Sequence, residues 1–366
     1  MAINLRSPYY EGTSTASTAY TTIAISIWEG SSTSPVTAQY NLKKSVVGSS
    51  VKVYFEISEL IKDYLDVTFD GDYVGKTIWV RTVRTPYNSS DSALTSPLTT
   101  TSLAYDSYSY FENPSFNIDD NPLLISNREM FVLDDNAFRV PINTLNNPTV
   151  TFFLNNEVVS TQSFTTSLLS SEQIKYVSIY GDSTNYDNFK ERVLEDGGTF
   201  EDNLCLKAFL DSLSIGKVDK ITVLDDNGLS ATVLVNTIEE CKYEPKKVSF
   251  INRFGVLQDM YFFKKAVEKI TIKKSSYKSH VLDTNMAYSI NTHVNRDFNI
   301  NGDESITLSS GYLSEEYNQV FKELMLSEKV WVTNVIETGE QVLPINVKTS
   351  NITYKTSLND KLVEYS

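Results

Sequence analysis

Several stretches of this chain carry residue types that could do chemistry. Gly71, Gly75, Lys76 and Thr77 imitate a phosphate-binding loop. Only three residues separate the glycines where the motif needs four, and a strand follows them, so no helix N-terminus faces a phosphate. The plainer reading is a polar turn ahead of a strand at Ile78. Asp297, Asn299 and Asn301, with Gly302 in sixth place, match the opening of a calcium loop. Its twelfth place should hold a bidentate Glu, yet Leu308 stands there, and no helix is predicted on either side. An Asx-rich loop is the better reading, with a loose calcium site as the alternative. Cys205 and Cys241 read as two buried small residues, with a bridge between them as the alternative. His280 and His293 are far along the chain from Cys205, so no Cys–His nucleophile is assigned.

The acidic pairs Asp119-Asp120, Asp134-Asp135, Asp225-Asp226 and Glu239-Glu240 do not amount to a hydrolase. Adjacent carboxylates point to opposite faces of a strand and are solvated in a loop. Neither G-x-S-x-G nor H-E-x-x-H occurs. Two Cys and two His leave no Cys cage or multi-His metal site. No catalytic, cofactor-binding or metal-binding residue is therefore assigned, and the chain is read as a non-enzyme without cofactors.

Charge points the same way. The 366 residues carry a formal net charge of −14, which argues against a surface built to grip nucleic acid or anionic membrane. No apolar run is long enough to span a membrane, and the opening MAINLRSPYYEG lacks the apolar core of a secretory signal. Against this acidic background Lys264, Lys265, Lys269, Lys273, Lys274 and Lys278 form a local basic cluster beside Phe262 and Phe263. In 269–273 (KITIK) the lysines alternate with Ile and Thr. That fits a solvated strand face, or a seam complementary to an acidic neighbouring subunit, better than a nucleic-acid surface.

The elements that must position these residues read as mainly β. Residues 21–28 (TTIAISIW) alternate Ile23, Ile25 and Ile27 with small or polar residues, the period of a half-buried strand. Residues 51–57 and 77–83 behave likewise, with Arg81 and Arg84 expected outward. Residues 58–66 read as a short helix capped by Ser58. Together they predict a β-sandwich over 1–113. A middle β-rich domain is expected over 114–242. It includes a hairpin turning at Asn155-Asn156 and a second, of type I′, at Asp225–Gly228 (DDNG). Strands are also expected at 175–180, 220–224 and 230–235, with 189–194 and 204–213 helical or loop-like. A C-terminal β domain is expected over 243–366. Strands at 247–252, 259–264, 269–273 and 329–333 surround a helix at 314–326, with a final strand pair at 351–356 and 361–365. Tyr317, Val320, Phe321, Leu324 and Met325 make that helix's apolar stripe, and Ser314 its cap.

One resemblance adds to this reading. Glu240 to Pro245 (ECKYEP), Phe250 to Gly255 (FINRFG) and Gln258 to Phe263 (QDMYFF) resemble structural proteins of tailed bacteriophages. These are the tail and baseplate-region proteins of phages from marine and Bacteroidota-type hosts. Residues 3–10, 55–71 and 354–362 resemble the same group, so the likeness touches both ends and much of the last region. It implies a virion component made in the host cytoplasm. Its function would be assembly with identical subunits and other virion proteins in the tail, tail tip or baseplate. It carries no catalytic residues over. On the residues themselves, Phe254, Tyr261, Phe262 and Trp331 are expected as core or seam aromatics, and Lys264, Lys265 and Lys273 as the charged part of a subunit seam. The alternative is a receptor- or glycan-binding module in which Tyr9, Tyr10, Trp28, Tyr108 and Tyr110 stack on sugar rings. A polysaccharide hydrolase is a second alternative.

Overall fold

A computed structural model describes residues 2–366 apart from 34, 36, 49–50, 111–115, 134–137, 166–172, 180–217, 239–241, 281, 283, 288, 337–338, 350, 352–361 and 365–366. The expectations at 189–194, 204–213, Cys205, Cys241, Asp134-Asp135 and Glu239-Glu240 lie outside the described residues. The fold is mainly β, with half of the described residues in strands and 6% of them helical.

The first seven strands are β1 (Ile3–Asn4), β2 (Tyr10–Ser14), β3 (Tyr20–Trp28), β4 (Tyr40–Ser45), β5 (Lys52–Glu56), β6 (Ile78–Tyr87) and β7 (Leu98–Tyr105). Five of them form a sheet in the order β1-β7-β6-β3-β4, and β2 pairs with β5 in a second, small one. Alternation along β3 buries Ile23, Ile25 and Ile27 against Val53 and Phe55 of β5. Arg84 is corrected: it points inward, ion-paired with Glu11 and donating to Gly12 O at 3.1 Å and Thr100 Oγ1 at 2.6 Å. The short helix α1 spans Ser58–Lys62, and Ser58 is its first residue, not its cap. Ser58 is held instead by Glu56, which accepts both its N–H, at 2.9 Å, and its hydroxyl.

The middle strands are β8 (Glu129–Val132), β9 (Phe138–Asn143), β10 (Thr149–Leu154), β11 (Glu157–Ser163), β12 (Ile174–Ile179), β13 (Lys220–Leu224) and β14 (Ser230–Thr237). A five-stranded sheet in the order β11-β10-β13-β14-β8 faces the β12-β9 pair. Val150, Phe152, Ile221 and Val233 of the first share one core with Phe138, Val140 and Val177 of the second. Asn155 and Asn156 both adopt positive φ between β10 and β11, as a two-residue hairpin turn requires. The β13–β14 turn differs from the type I′ expectation. Positive φ falls on Gly228 alone, and Gly228 N–H bonds Asp225 O at 3.0 Å in a longer connection.

The last strands are β15 (Lys246–Ile251), β16 (Leu257–Phe262), β17 (Val267–Lys278), β18 (Asn295–Thr307), β19 (Tyr312–Ser314), β20 (Val330–Ile336), β21 (Gly339–Ile345) and β22 (Leu362–Glu364). Helix α2 spans Tyr317–Met325. The antiparallel sheet β16-β15-β20-β21 packs Val248, Phe250, Met260 and Val332 against Tyr317, Val320, Phe321 and Leu324 of α2. Ser314 belongs to β19, so it does not cap α2. β22 pairs with β19; its expected partner stretch, 351–356, lies outside the described residues except for Asn351.

Each described sheet takes its strands from one of the three stretches, yet the cores cross between them. Trp79, Leu103 and Tyr105 share a cluster with Leu124, Ile174, Phe254 and Val256. Val67 and Phe69 share another with Ile251, Leu257 and Trp331. At Gly255 the bend after Phe254 presses on the first stretch. Its φ is +78°, and an added Cβ would lie 2.4 Å from the Asp106 carbonyl carbon. Gly255→Ala is expected to destabilise the chain by about 2–4 kcal/mol, from the left-handed conformation and the backbone clash together. Urea unfolding measures this; a loss under about 0.5 kcal/mol would refute the close approach.

Candidate assembly interface

The β17–β18 hairpin is built unlike the rest of the molecule. Among the described residues the two strands pair only with each other, over 12 and 13 residues. At about 3.4 Å per residue that is a ribbon about 40 Å long. Every residue of β17 is exposed, and only Ser305 and Ile306 of β18 are partly covered. A lone two-stranded hairpin is at best marginally stable in water. This one is anchored at its root, where Phe263 and Leu308 pack on the core beside α2, and Lys264 N–H bonds Ser309 O at 3.3 Å.

The register sorts its side chains into two faces. Glu268 stands opposite Ile306, Ile270 opposite Glu304, Ile272 opposite Gly302 and Lys274 opposite Ile300. Ile270 Cδ1 lies only 3.4 Å from where a Cβ on Gly302 would be, so its side chain covers that glycine. A bulge follows Ser275, and beyond it Tyr277 meets Phe298 with ring centroids 6.1 Å apart. Ile270 is 57% exposed, Ile272 53%, Ile300 58% and Phe298 70%. The opposite face carries Lys269, Thr271, Lys273 and Ser275 against Ser305, Asp303, Asn301 and Asn299. This alternation normally marks a sheet with one buried face, and here no described residue buries it.

Charges decorate the ribbon unevenly. β17 holds Lys269, Lys273, Lys274 and Lys278 against one carboxylate, Glu268; β18 holds Asp297, Asp303 and Glu304 against Arg296. Lys273 Nζ meets Asp303 at 2.9 Å and Lys274 Nζ meets Asp297 at 3.5 Å across the strands. The calcium-loop expectation is corrected here: Asp297 to Asp303 is strand, not loop. Asn299 and Asn301, at positions 3 and 5, stand on the polar side of the ribbon opposite Ser275 and Lys273, while the bulge sets Asp297, at position 1, opposite Ser276 beside Lys274.

The other expected seam residues divide. Lys265 and Lys273 are exposed, while Lys264 is half-buried and lies over the Phe263 ring at 5.7 Å. Phe254, Tyr261, Phe262 and Trp331 are all buried within this chain. Of the two roles expected for them they take the core one: alternation fails in β16 because both of its faces are covered. They are not available as a seam.

Of the five aromatics of the glycan alternative, only Tyr108 and Tyr110 are in ring contact with each other among the described residues, with centroids 5.4 Å apart. Tyr10 is exposed, while Tyr9 and Trp28 are half-buried. Trp28 stacks on Trp79 with centroids 6.4 Å apart. Tyr108 is buried, a correction to its expected exposure, and Arg6 lies 4.7 Å over its ring. Tyr110 packs against Tyr108, Lys322 at 3.8 Å and Arg253 at 4.8 Å.

Two buried acidic groups were not singled out in the sequence, because the partners that hold them come from distant stretches of the chain. Asp259 on β16 accepts from Tyr73 Oη at 2.7 Å and Ser249 Oγ at 2.6 Å. Glu323, on the middle of α2, is fully buried. It accepts from Ser126 Oγ at 2.5 Å, Gln319 Nε2 at 2.8 Å and Arg253 N–H at 3.4 Å. Burial raises its carboxyl above the ordinary value, and the Ser126, Gln319 and Arg253 contacts only partly oppose this. A raised carboxyl binds its proton more tightly folded than unfolded. Its contribution is therefore complete below the ordinary Glu value and is lost as pH rises through the raised one. Asp106 is raised in the same direction by burial, against Arg6. Thermal stability is expected to fall as pH climbs from the ordinary carboxylate range toward neutrality. Glu323→Gln should flatten that slope. Melting curves across pH ~4–9 check it, and an unchanged slope in the variant would exclude Glu323 as a source.

Among the described residues no group of three or more His, Cys, Asp or Glu is placed to hold a metal ion, and no helix is long and apolar enough to cross a membrane. No family model and no curated protein matches this chain. Among solved structures, one similar chain comes from work described as structural insight into host cell surface retention of a 1.5-MDa bacterial ice-binding adhesin. It is 8% identical, with 94% of this chain and 90% of that chain covered, at a TM-score of 0.14.

Proposed function

We propose that this chain is a non-enzymatic structural component of a tailed-phage particle, in the tail, tail tip or baseplate, and that it acts by oligomeric assembly. The observation that carries the assembly reading is the β17–β18 ribbon: long and, among the described residues, open at both edges and bare on its apolar face. Soluble proteins blunt or cover such edges unless another chain pairs with them. The phage assignment is supported by the sequence resemblance of the segments around Phe250–Phe263 and of the N-terminal stretch. The ribbon also gives the basic cluster a place, since Lys269, Lys273, Lys274 and Lys278 all lie on β17. The glycan-binding alternative has no comparable support, with Tyr108 buried and Tyr110 packed against two cations.

Quantitative peptide mass spectrometry on purified particles tests the reading. Recovery at a fixed low ratio to the major capsid protein, on the order of a few to some tens of copies, is the expected result for a closed symmetric assembly. Absence from intact particles would overturn the virion role.

A further inference from the structure

We propose that the ribbon's partner is the ribbon of a second copy of this chain, with β17 of one copy pairing edge to edge with β18 of the next. The inference rests on the assembly reading above and adds to it the partner and the strand pairing.

Three features of the ribbon select this occupant. The first is its pair of open edges. Among the described residues each strand has one side without a partner, and 12–13 residues leave about six outward-pointing N–H and C=O groups per edge. A second ribbon satisfies one edge and offers its own far edge to a third. The second is charge. β17 paired with β17 would oppose lysines, and β18 with β18 would oppose carboxylates, which is unfavourable at directly facing positions. β17 beside β18 opposes unlike charges, as Lys273–Asp303 and Lys274–Asp297 already do within one copy. The third is direction. β17 and β18 are antiparallel, so a continuing order of β17, β18, β17, β18 is antiparallel throughout and points every copy the same way. That contact is heterologous, and it closes as a ring when the rotation between copies allows. Strand twist, sharpened by the bulge after Ser275, curls such a sheet and turns Ile270, Ile272, Phe298 and Ile300 to one side, where they cover one another.

Other occupants fit less well. A lipid surface would meet Glu268, Lys274 and Glu304 on the same face as the isoleucines, and charges on a lipid-facing strand are destabilising. An acidic surface of another protein would suit β17 and repel β18.

The test reverses each edge separately in the full chain. Lys269→Glu with Lys278→Glu makes β17 net acidic. Asn299→Lys with Glu304→Lys makes β18 net basic. All four sites are exposed and outside the two ion pairs within the ribbon. Light scattering and native mass spectrometry should show an oligomer for the wild type. Each variant alone should associate at least about tenfold more weakly, and an equimolar mixture should recover the oligomer, because each reversed edge then meets a complementary one. A wild type that is monomeric at every concentration, variants that assemble unchanged, or a mixture that stays dissociated would each overturn the pairing. A monomer that sediments with phosphatidylcholine vesicles would overturn it in favour of lipid. A chain found in particles yet failing these tests would lose the pairing and keep the virion role. Absence from particles with charge-swap rescue intact would do the reverse.

Discussion

Replacing Ile270 and Ile272 together by aspartate is expected to abolish assembly while leaving the folded monomer intact. Both side chains are more than half exposed and touch no core cluster. Removing them therefore takes no packing from the body, and the melting temperature of the dissociated chain should move by no more than about 1–2 °C. In the proposed assembly the same face is buried against a neighbour. Two carboxylates there would have to be desolvated without partners, a penalty of several kcal/mol at each junction. An association weakened by about 3 kcal/mol or more is weakened at least about a hundredfold. Sedimentation velocity beside a thermal melt separates the two effects. An oligomer of unchanged strength would mean that the apolar face is not the one covered. A large drop in melting temperature would mean that the ribbon is held by the body after all.

Arg6→Ala is expected to destabilise the fold by about 3–5 kcal/mol, the usual effect of removing one member of a buried pair. The Arg6 side chain is 5% exposed. Its Nε donates to Asp106 O at 2.9 Å and stands 3.4 Å from Asp106 Oδ1, while its Nη2 donates to Asn252 O. Asn252 is itself fully buried, and its side chain bonds Leu124 O at 2.7 Å and Gln258 Oε1 at 2.9 Å. Gln258 continues the network to Asn127 Oδ1 at 3.0 Å. One guanidinium thus ties the first stretch of the chain to the third, and through Asn252 and Gln258 to the second. Without it the Asp106 carboxylate stays buried with its opposing charge gone. The loss should shrink in acid, where Asp106 can take up a proton. Arg6→Lys should recover only part of the stability, because an ammonium cannot span Asp106 and Asn252 as a planar fork does. Urea unfolding of the three chains measures the series. A loss below about 1 kcal/mol for Arg6→Ala would refute the network's role.

The sequence made the elements with one wet and one dry face readable. Alternation in β3 and the i, i+3, i+4 stripe of α2 fix their buried residues, and Ile23, Ile25, Tyr317, Val320 and Leu324 lie inside as that periodicity requires. Positions that depend on distant chain were not readable. Arg84 was expected in solvent, but Glu11 on β2 supplies a charge that draws it between two sheets. Glu323 has the local pattern of a solvated helix residue; Ser126, from another stretch, makes it a buried one.

The ribbon was half legible, for a physical reason. KITIK announced a strand because its lysines alternate with isoleucine and threonine. Across from it, Asp297, Asn299, Asn301 and Asp303 show the same period of two, but in Asx residues, which favour turns and loops. Calcium loops and amphipathic strands both place oxygen-bearing side chains on alternate residues. The local pattern cannot separate them, and only pairing with β17 decides. The resulting face, with Phe298 and Ile300 bare, is invisible until the two strands are put in register.

Amide hydrogen exchange along the ribbon tests most directly whether this chain works by covering that element. It would be measured over 267–278 and 295–307 in assembled particles or oligomers and in the dissociated chain. The expected result is fast exchange of the outward-facing amides of both strands when dissociated and strong protection of both when assembled, with little change in β3, β15 or β20. Equal exchange of the ribbon in the two states would contradict it, since a ribbon that stays open after assembly is not what joins the subunits.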